Sequence, residues 1–331
     1  VSIETPIWVG IDVGGTKIEA MAVGLSPNPM GSVLGSVRLP TPDSGPEDLI
    51  EAIEVAARRA AEASGRSVEE IRTVGIGMPG QIQDGVVRIA VNLNLHDYPL
   101  AEILEKRFGR PVRVENDVRT AALGAYHWIH SRQPIHRLVY LSIGTGVAAA
   151  MVLDGIPYTG ADHLAGEIGH AVVDPEGPPC ACGGRGCLEV WVSGPALVRQ
   201  AQEELERGEP SRLARLQPLE APAIYEAARQ GDPVAQAILA RSGRFLAMAL
   251  QWLALTWDPE LIVIGGGIAQ EGEAFLNPVW EALEALRGTS RVGRELFQRE
   301  RLLLVPKDVP VALWGAIRLA QAADPAAPDS L

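Results

Sequence analysis

Apolar positions along this 331-residue chain follow two rhythms. Short runs rich in β-branched residues end in glycine clusters, and longer stretches repeat at helical spacing. Residues 7–13 and 18–23 flank Gly14-Gly15-Thr16 and predict a hairpin, with 33–39 as a third antiparallel strand. A helix is expected over 46–64, with Ser44 placed to cap it. A buried strand over 74–77 runs into the sharp turn Met78-Pro79-Gly80. Helix 100–108, strand 112–114 and helix 118–130 follow, the last beginning just after Asn116-Asp117.

A similar series then starts again. Strands 138–143 and 147–153 precede an insertion that holds every cysteine, and 233–257 is a long apolar helix ended near Asp258-Pro259. Strand 261–264 runs into Gly265-Gly266-Gly267, helices are expected over 275–286 and 312–322, and a strand over 302–305 lies between them. Residues 324–331 read as a frayed end. The pattern suggests a weak internal duplication. It divides the chain into a small α/β domain, 1–116, and a large one, 117–311, with a hinge near 115–117 and the final helix (about 312–323) returning to the first half.

Composition narrows the function classes. At 47% hydrophobic the chain is that of a globular protein. Its net charge of −12, with three lysines against 26 scattered arginines, excludes a nucleic-acid surface, which needs a neutralising basic patch. The start of the chain lacks the basic, apolar pattern of a secretory signal. The longest apolar run, 138–153, is broken by Ser142, Gly144, Thr145 and Gly146, and falls short of the roughly 20 residues of a membrane span. A cytoplasmic protein with reduced thiols and no membrane partner is expected.

The three cysteines, Cys180, Cys182 and Cys187, lie with His170 within eighteen residues. Three thiolates and an imidazole are a complete ligand set for a closed, four-coordinate structural zinc, and Gly183, Gly184 and Gly186 let the loop 170–187 wrap tightly. Asp12-Val13-Gly14-Gly15-Thr16-Lys17 follows an apolar strand, so backbone N–H groups, Thr16 and Lys17 can approach phosphates while Asp12 suits a Mg²⁺ held through water. It matches neither the P-loop nor the dinucleotide fingerprint. Gly144-Thr145-Gly146 and Gly265-Gly266-Gly267 are two further glycine turns at strand ends, the latter able to open a helix facing a ligand. Three such turns in two domains imply one nucleotide clamped between them.

Asn116-Asp117 sits where a strand becomes a helix. A carboxylate there either accepts a substrate hydroxyl proton or caps the helix. Glu167 and His170, three apart, share a face on a helical turn, and Glu189 follows the last cysteine by two residues. Carboxylates and an amide beside a closed metal site fit polyol recognition. His96, His127, His130, His136 and His163 show no partner in the sequence and read as surface or core residues.

Together Asp12–Lys17, Asn116-Asp117, Gly144-Thr145-Gly146, Gly166-Glu167-Ile168-Gly169-His170 and the Cys180–Glu189 segment resemble the ROK family of repressors, open reading frames and sugar kinases, from residue 12 to about 267. The bacterial ATP-dependent glucokinases of that family are the nearest likeness. The resemblance implies an actin-like ATPase fold (ribonuclease H-like, hexokinase-type) with two α/β domains and an inserted zinc loop, acting on ATP and a hexose, usually as a dimer. It implies Asp117 as catalytic base and Asn116, Glu167, His170 and Glu189 as sugar ligands, with Gly80 and Asn92 lining the sugar site. By the same resemblance His170, Cys180, Cys182 and Cys187 would hold zinc. Asp12, Gly14, Gly15, Thr16 and Lys17 would hold Mg²⁺ and phosphates with Gly144, Thr145 and Gly146, and Gly265, Gly266 and Gly267 would lie near adenosine.

Three departures stand out: Val147-Ala148-Ala149-Ala150 in place of further glycines, Arg119-Thr120 where small residues are usual, and no Trp in 91–96. They bear on which sugar is used, with N-acetylglucosamine, N-acetylmannosamine, mannose and fructose as rivals to glucose. A repressor of the same family carries a DNA-binding domain before the phosphate loop, for which eleven residues leave no room. A silent sugar-binding protein would lack Asp12, Asp117 or a glycine turn.

Overall fold

A computed structural model describes residues 6–25, 32–289, 291–296 and 298–325. The chain opens with strands β1 (Ile7–Val13), β2 (Lys17–Gly24) and β3 (Ser32–Pro40) and helix α1 (Pro46–Ala63). Next come β4 (Ile71–Met78), β5 (Gln81–Gln83), β6 (Val86–Ala90), β7 (Leu95–Tyr98), α2 (Leu100–Phe108), β8 (Val112–Asn116) and α3 (Asp117–His130). Then follow β9 (Arg137–Ile143), β10 (Val147–Leu153), β11 (Ile156–Pro157), α4 (Glu189–Val192), α5 (Gly194–Glu206), α6 (Ala221–Arg229) and α7 (Pro233–Trp257). The last elements are β12 (Leu261–Gly265), α8 (Glu273–Thr289), α9 (Arg291–Leu296), β13 (Leu302–Leu304) and α10 (Val311–Ala323). Beyond Pro325 the expected frayed end lies outside the described residues.

Two five-stranded sheets carry these elements, in the orders β3-β2-β1-β4-β8 and β11-β10-β9-β12-β13. The two orders correspond strand for strand, so the duplication visible as a hydrophobic pattern is also one of topology. In the first sheet β1, β2 and β3 are antiparallel, while β4 runs parallel to both β1 and β8. In the second, β12 runs parallel to β9 and β13. A small third sheet has the order β5-β6-β7.

Contacts divide the chain into two compact units: 1–136 with 150–165 and 309–331, and 137–149 with 166–308. The division follows His136, where the sequence pattern placed it at 116/117. Close backbone packing accounts for α3 belonging to the first unit. A Cβ on Gly124 of α3 would stand 1.9 Å from the Val311 carbonyl oxygen, and one on Gly315 of α10 would stand 1.7 Å from that of Thr120. Only hydrogen fits at both positions. The α10 helix also rests on the sheet, where a Cβ on Gly75 of β4 would meet the Ala316 oxygen at 1.9 Å.

Strand β1 is buried on both faces: its successive side chains point opposite ways, and each face meets a helix. Ile7, Val9, Ile11 and Val13 join the core that includes Ile50, Ile53 and Ala57 of α1. Trp8, with Met21 and Val23, packs instead with Leu313 and Ile317 of α10. Asp324, just past α10, accepts from Trp8 Nε1 at 3.1 Å and from Arg72 at 3.0 Å.

One local expectation is corrected. Ser44 does not cap α1; the cap residue is Gly45 at φ 136°, with no side-chain hydrogen bond, in a conformation that disfavours residues with a Cβ. Among the described residues no helix is long and apolar enough to cross a membrane.

Candidate active site and metal site

In the first unit the chemistry gathers at the carboxyl ends of three adjacent parallel strands, the usual ligand side of an α/β sheet. Register pairs Asp12 on β1 with Gly77 on β4, Gly77 with Glu115 on β8, and Met78 with Asn116. The β1–β2 turn is closed by Gly14 N–H donating to the Lys17 carbonyl at 2.8 Å, which leaves Gly15, Thr16 and Lys17 exposed. Thr41 Oγ1 fixes the turn from outside by donating to the Gly14 oxygen at 2.6 Å. Asp12 is half-buried, and its desolvation first, then the neighbouring Asp117 and Glu19 carboxylates, push its pKa up to about 7 against the opposing pull of Lys17.

Glu19 escaped the sequence reading. It stands opposite Asp12 in the β1–β2 register and pairs with Lys17 at 2.5 Å and Arg38 at 2.6 Å. The hairpin alternation could have revealed it, since a carboxylate two residues after Lys17 returns to the same face.

Of the two sequence readings of Asn116-Asp117, the cap falls to Asn116. Asn116 is the cap of α3, its Oδ1 accepting from Val118 N–H at 3.0 Å and Arg119 N–H at 3.1 Å. Its Nδ2 donates to the Gly80 oxygen at 3.0 Å, so the Met78-Pro79-Gly80 turn and the head of α3 are one assembly. Asp117 is the first residue of α3 and is close enough to Asp12 to raise that group's pKa. Asn92 lies apart from these strand ends in sequence, on an exposed turn between β6 and β7.

In the second unit, two glycine turns meet. Gly144-Thr145-Gly146 follows β9 and Gly265-Gly266-Gly267 follows β12, with Gly265 paired to Ser142 across parallel strands. A Cβ on Gly144 would lie 3.7 Å from Gly267 N, and one on Gly266, at φ 89°, would strike the Ile143 oxygen at 2.4 Å. The third turn opens only the short 3₁₀ segment Ile268–Glu271 before α8 begins at Glu273.

The same unit holds the cysteine loop. The ligand atoms of His170, Cys180, Cys182 and Cys187 all lie within 4.8 Å of one another. Cys180 Sγ is 3.7 Å from His170 Nδ1, and Cys182 Sγ is 3.7 Å from Cys187 Sγ. A tetrahedral zinc requires about 3.6–3.8 Å between such atoms, so the residues fit the ion. The loop is tight: Gly186 has φ 68°, and a Cβ there would sit 1.6 Å from the Asp174 oxygen. Cys182 has its pKa lowered, chiefly by a backbone hydrogen bond from Gly184, while burial pushes Cys187 up to about 12.

Glu167 precedes the 3₁₀ turn Ile168–His170, and His170 N–H donates to the Glu167 oxygen at 3.1 Å. Glu189 opens α4, and its Oε2 accepts from Val147 N–H at 3.0 Å. Gly194 N–H donates to the Gly144 oxygen at 2.8 Å. The segment after the cysteine loop therefore braces the second glycine turn on both sides, a role that nothing local in the sequence announced.

Known proteins are similar to this chain in sequence and fold. The glucokinase of Thermotoga maritima is 36% identical over 281 residues, 82% of this chain and 86% of that protein. An N-acetylmannosamine kinase of Escherichia fergusonii is 34% identical over 284 residues, 83% and 88% of the respective chains. A crystal structure of a ROK family glucokinase from Streptomyces griseus in complex with glucose and AMPPNP superposes with a TM-score of 0.78 at 32% identity, covering 96% of this chain and 99% of that one. The ROK family model matches residues 8–292. With that match and these identities, the chain belongs to the ROK family.

Proposed function

We propose that the chain is an ATP-dependent hexose kinase that converts glucose to glucose 6-phosphate. The observation that carries this is the placement of Asp117 at the head of α3, beside half-buried Asp12 and the Gly14-Gly15 turn. Asp117 accepts the proton of the attacking hydroxyl, and Asn116 supplies an amide N–H to a neighbouring hydroxyl. Gly80, Asn92, Glu167, His170 and Glu189 contact the rest of the sugar. Gly14, Gly15, Thr16 and Lys17, with Gly144, Thr145 and Gly146, hold the phosphates, and Gly265, Gly266 and Gly267 lie beside adenosine. Asp12 would hold the Mg²⁺ that accompanies ATP, which would supply neutralisation of phosphate charge. Positioning of acceptor and donor does most of the work, because phosphoryl transfer through a loose transition state asks little of the base. The enzyme is cytoplasmic and a homodimer or higher homo-oligomer, with neither nucleic acid nor membrane as partner.

A coupled assay with ATP against glucose, mannose, fructose, N-acetylglucosamine and N-acetylmannosamine tests the acceptor. Glucose is expected to give the highest kcat/KM. A higher value for N-acetylmannosamine would transfer the assignment to the second group of relatives, and sugar binding without turnover of any acceptor would make the chain a regulator.

Zinc acts as a structural crosslink, all four positions being taken by protein. Elemental analysis of the folded protein should find about one zinc per chain. Stripping it with a chelator should lower the thermal midpoint and weaken glucose binding measured by calorimetry. Folded, sugar-binding protein without zinc would remove the metal assignment.

A further inference from the structure

Arg119 is one of the positions at which the sequence departs from the pattern of the family it resembles, and the structure gives it a task. It lies in the first turn of α3, yet its side chain is only 3% exposed, unusual for a guanidinium. Burial of this charge is compensated on three sides. Nε and Nη2 both reach Glu115 Oε1, at 2.8 and 2.7 Å; Nη1 donates to the His163 oxygen at 3.1 Å; Nη2 also reaches the Ile82 oxygen at 3.3 Å.

The partners matter more than their number. Glu115 is in β8 and Arg119 is in α3, so the pair brackets the Asn116-Asp117 dipeptide that lies between them. Glu115 Oε1 also accepts from Asn116 N–H at 2.6 Å, and Arg119 N–H donates to Asn116 Oδ1 at 3.1 Å. Strand end, amide side chain and helix start are thereby locked around Asp117. The two carbonyls extend the lock. Ile82 follows the Gly80 turn, and His163 belongs to the stretch 158–165, which Gln81 Nε2 also grips through the Asp162 oxygen at 2.7 Å. Four residues after His163 the chain reaches Glu167.

The geometry points to Arg119, braced by Glu115, as a positioning residue that fixes Asp117 and Asn116 against the acceptor hydroxyl. It also anchors the segment leading to Glu167. A small residue at 119 could do neither, and lysine, with one ammonium, cannot reproduce a planar fork shared among a carboxylate and two carbonyls. The inference rests on the hexose kinase assignment and makes one of its parts specific to this chain.

The test compares Arg119→Lys, Arg119→Ala and Glu115→Gln with the parent enzyme, assayed well below each thermal midpoint. Arg119→Lys is expected to lower kcat by about 10- to 100-fold and to raise the hexose KM by about fivefold or more, the cost of misplacing a catalytic group by a fraction of an ångström to one ångström. The ATP KM should stay within about twofold, since the phosphate turns are untouched. Glu115→Gln, which keeps an acceptor but removes its charge, should fall between Arg119→Lys and the parent. Should Arg119→Ala fail to fold, the lysine variant decides. A lower thermal midpoint with unchanged kcat and hexose KM, or equal rises in both KM values, overturns the positioning role. Failure of the parent to phosphorylate any hexose overturns the kinase assignment instead, so the two failures are distinct.

Discussion

Asp117→Asn is expected to reduce kcat by about 10²- to 10⁴-fold, the range for loss of a positioned general base. Asparagine is nearly isosteric at the first position of α3, and the Asn116 cap that holds the helix start is unaffected, so the fold should survive. Glucose affinity measured by calorimetry should change little, because the hydrogen-bonding groups assigned to the rest of the ring remain. ADP release by the variant at the parent rate would show that the proton leaves by another route. Loss of glucose binding in parallel with kcat would instead make Asp117 a sugar ligand alone.

Asp12→Asn is expected to make the metal-free protein more stable and the enzyme nearly inactive. The Asp12 carboxyl, raised from 3.8 in its ordinary state to about 7 by burial and by Asp117, favours the protonated form when folded. The sign follows from linkage: stability tied to this proton is fully present below about pH 4 and is lost as pH rises through about 7. A shift of about three units is about 4 kcal/mol, as an order of magnitude. Removing the charge should therefore raise the thermal midpoint by several degrees at pH 8 without divalent cation, and leave it nearly unchanged at pH 4. Turnover should fall by about 100-fold or more, because the developing phosphate charge loses its metal anchor. Equal midpoints for parent and variant at pH 8 would contradict the strained carboxylate. Such a residue trades stability for function, as active sites often do.

Much of the fold could be read where polar punctuation is explicit. The α7 bounds, 233–257, match the structure because Asp232 caps Ala235 N–H at 3.0 Å before Pro233 and Asp258 turns left-handed at φ 39°. Strand β8 runs past the expected end at Val114, because pairing with Gly77 and Met78 keeps Glu115 and Asn116 extended. Within the site, the cysteine loop and the glycine turns were legible because their chemistry is concentrated in short segments. The brace by Arg119 on the His163 and Ile82 carbonyls and the hold of Glu189 on Val147 forty-two residues away were not. Each depends on a partner brought close by tertiary packing, which neither periodicity nor spacing encodes.

The seating of α10 among Gly75, Gly124 and the apolar side chains of β1 and β2 has a consequence for biosynthesis. A ribosome releases β1, β2, β4 and α3 long before it makes the helix that covers them. At roughly 5–20 residues per second, the interval between β4 and α10 lasts on the order of tens of seconds. Throughout it Trp8, Met21 and Val23 have no cover from that helix. The nascent first unit thus keeps these strand positions uncovered until α10 is made, while the 166–308 region can mature ahead of it.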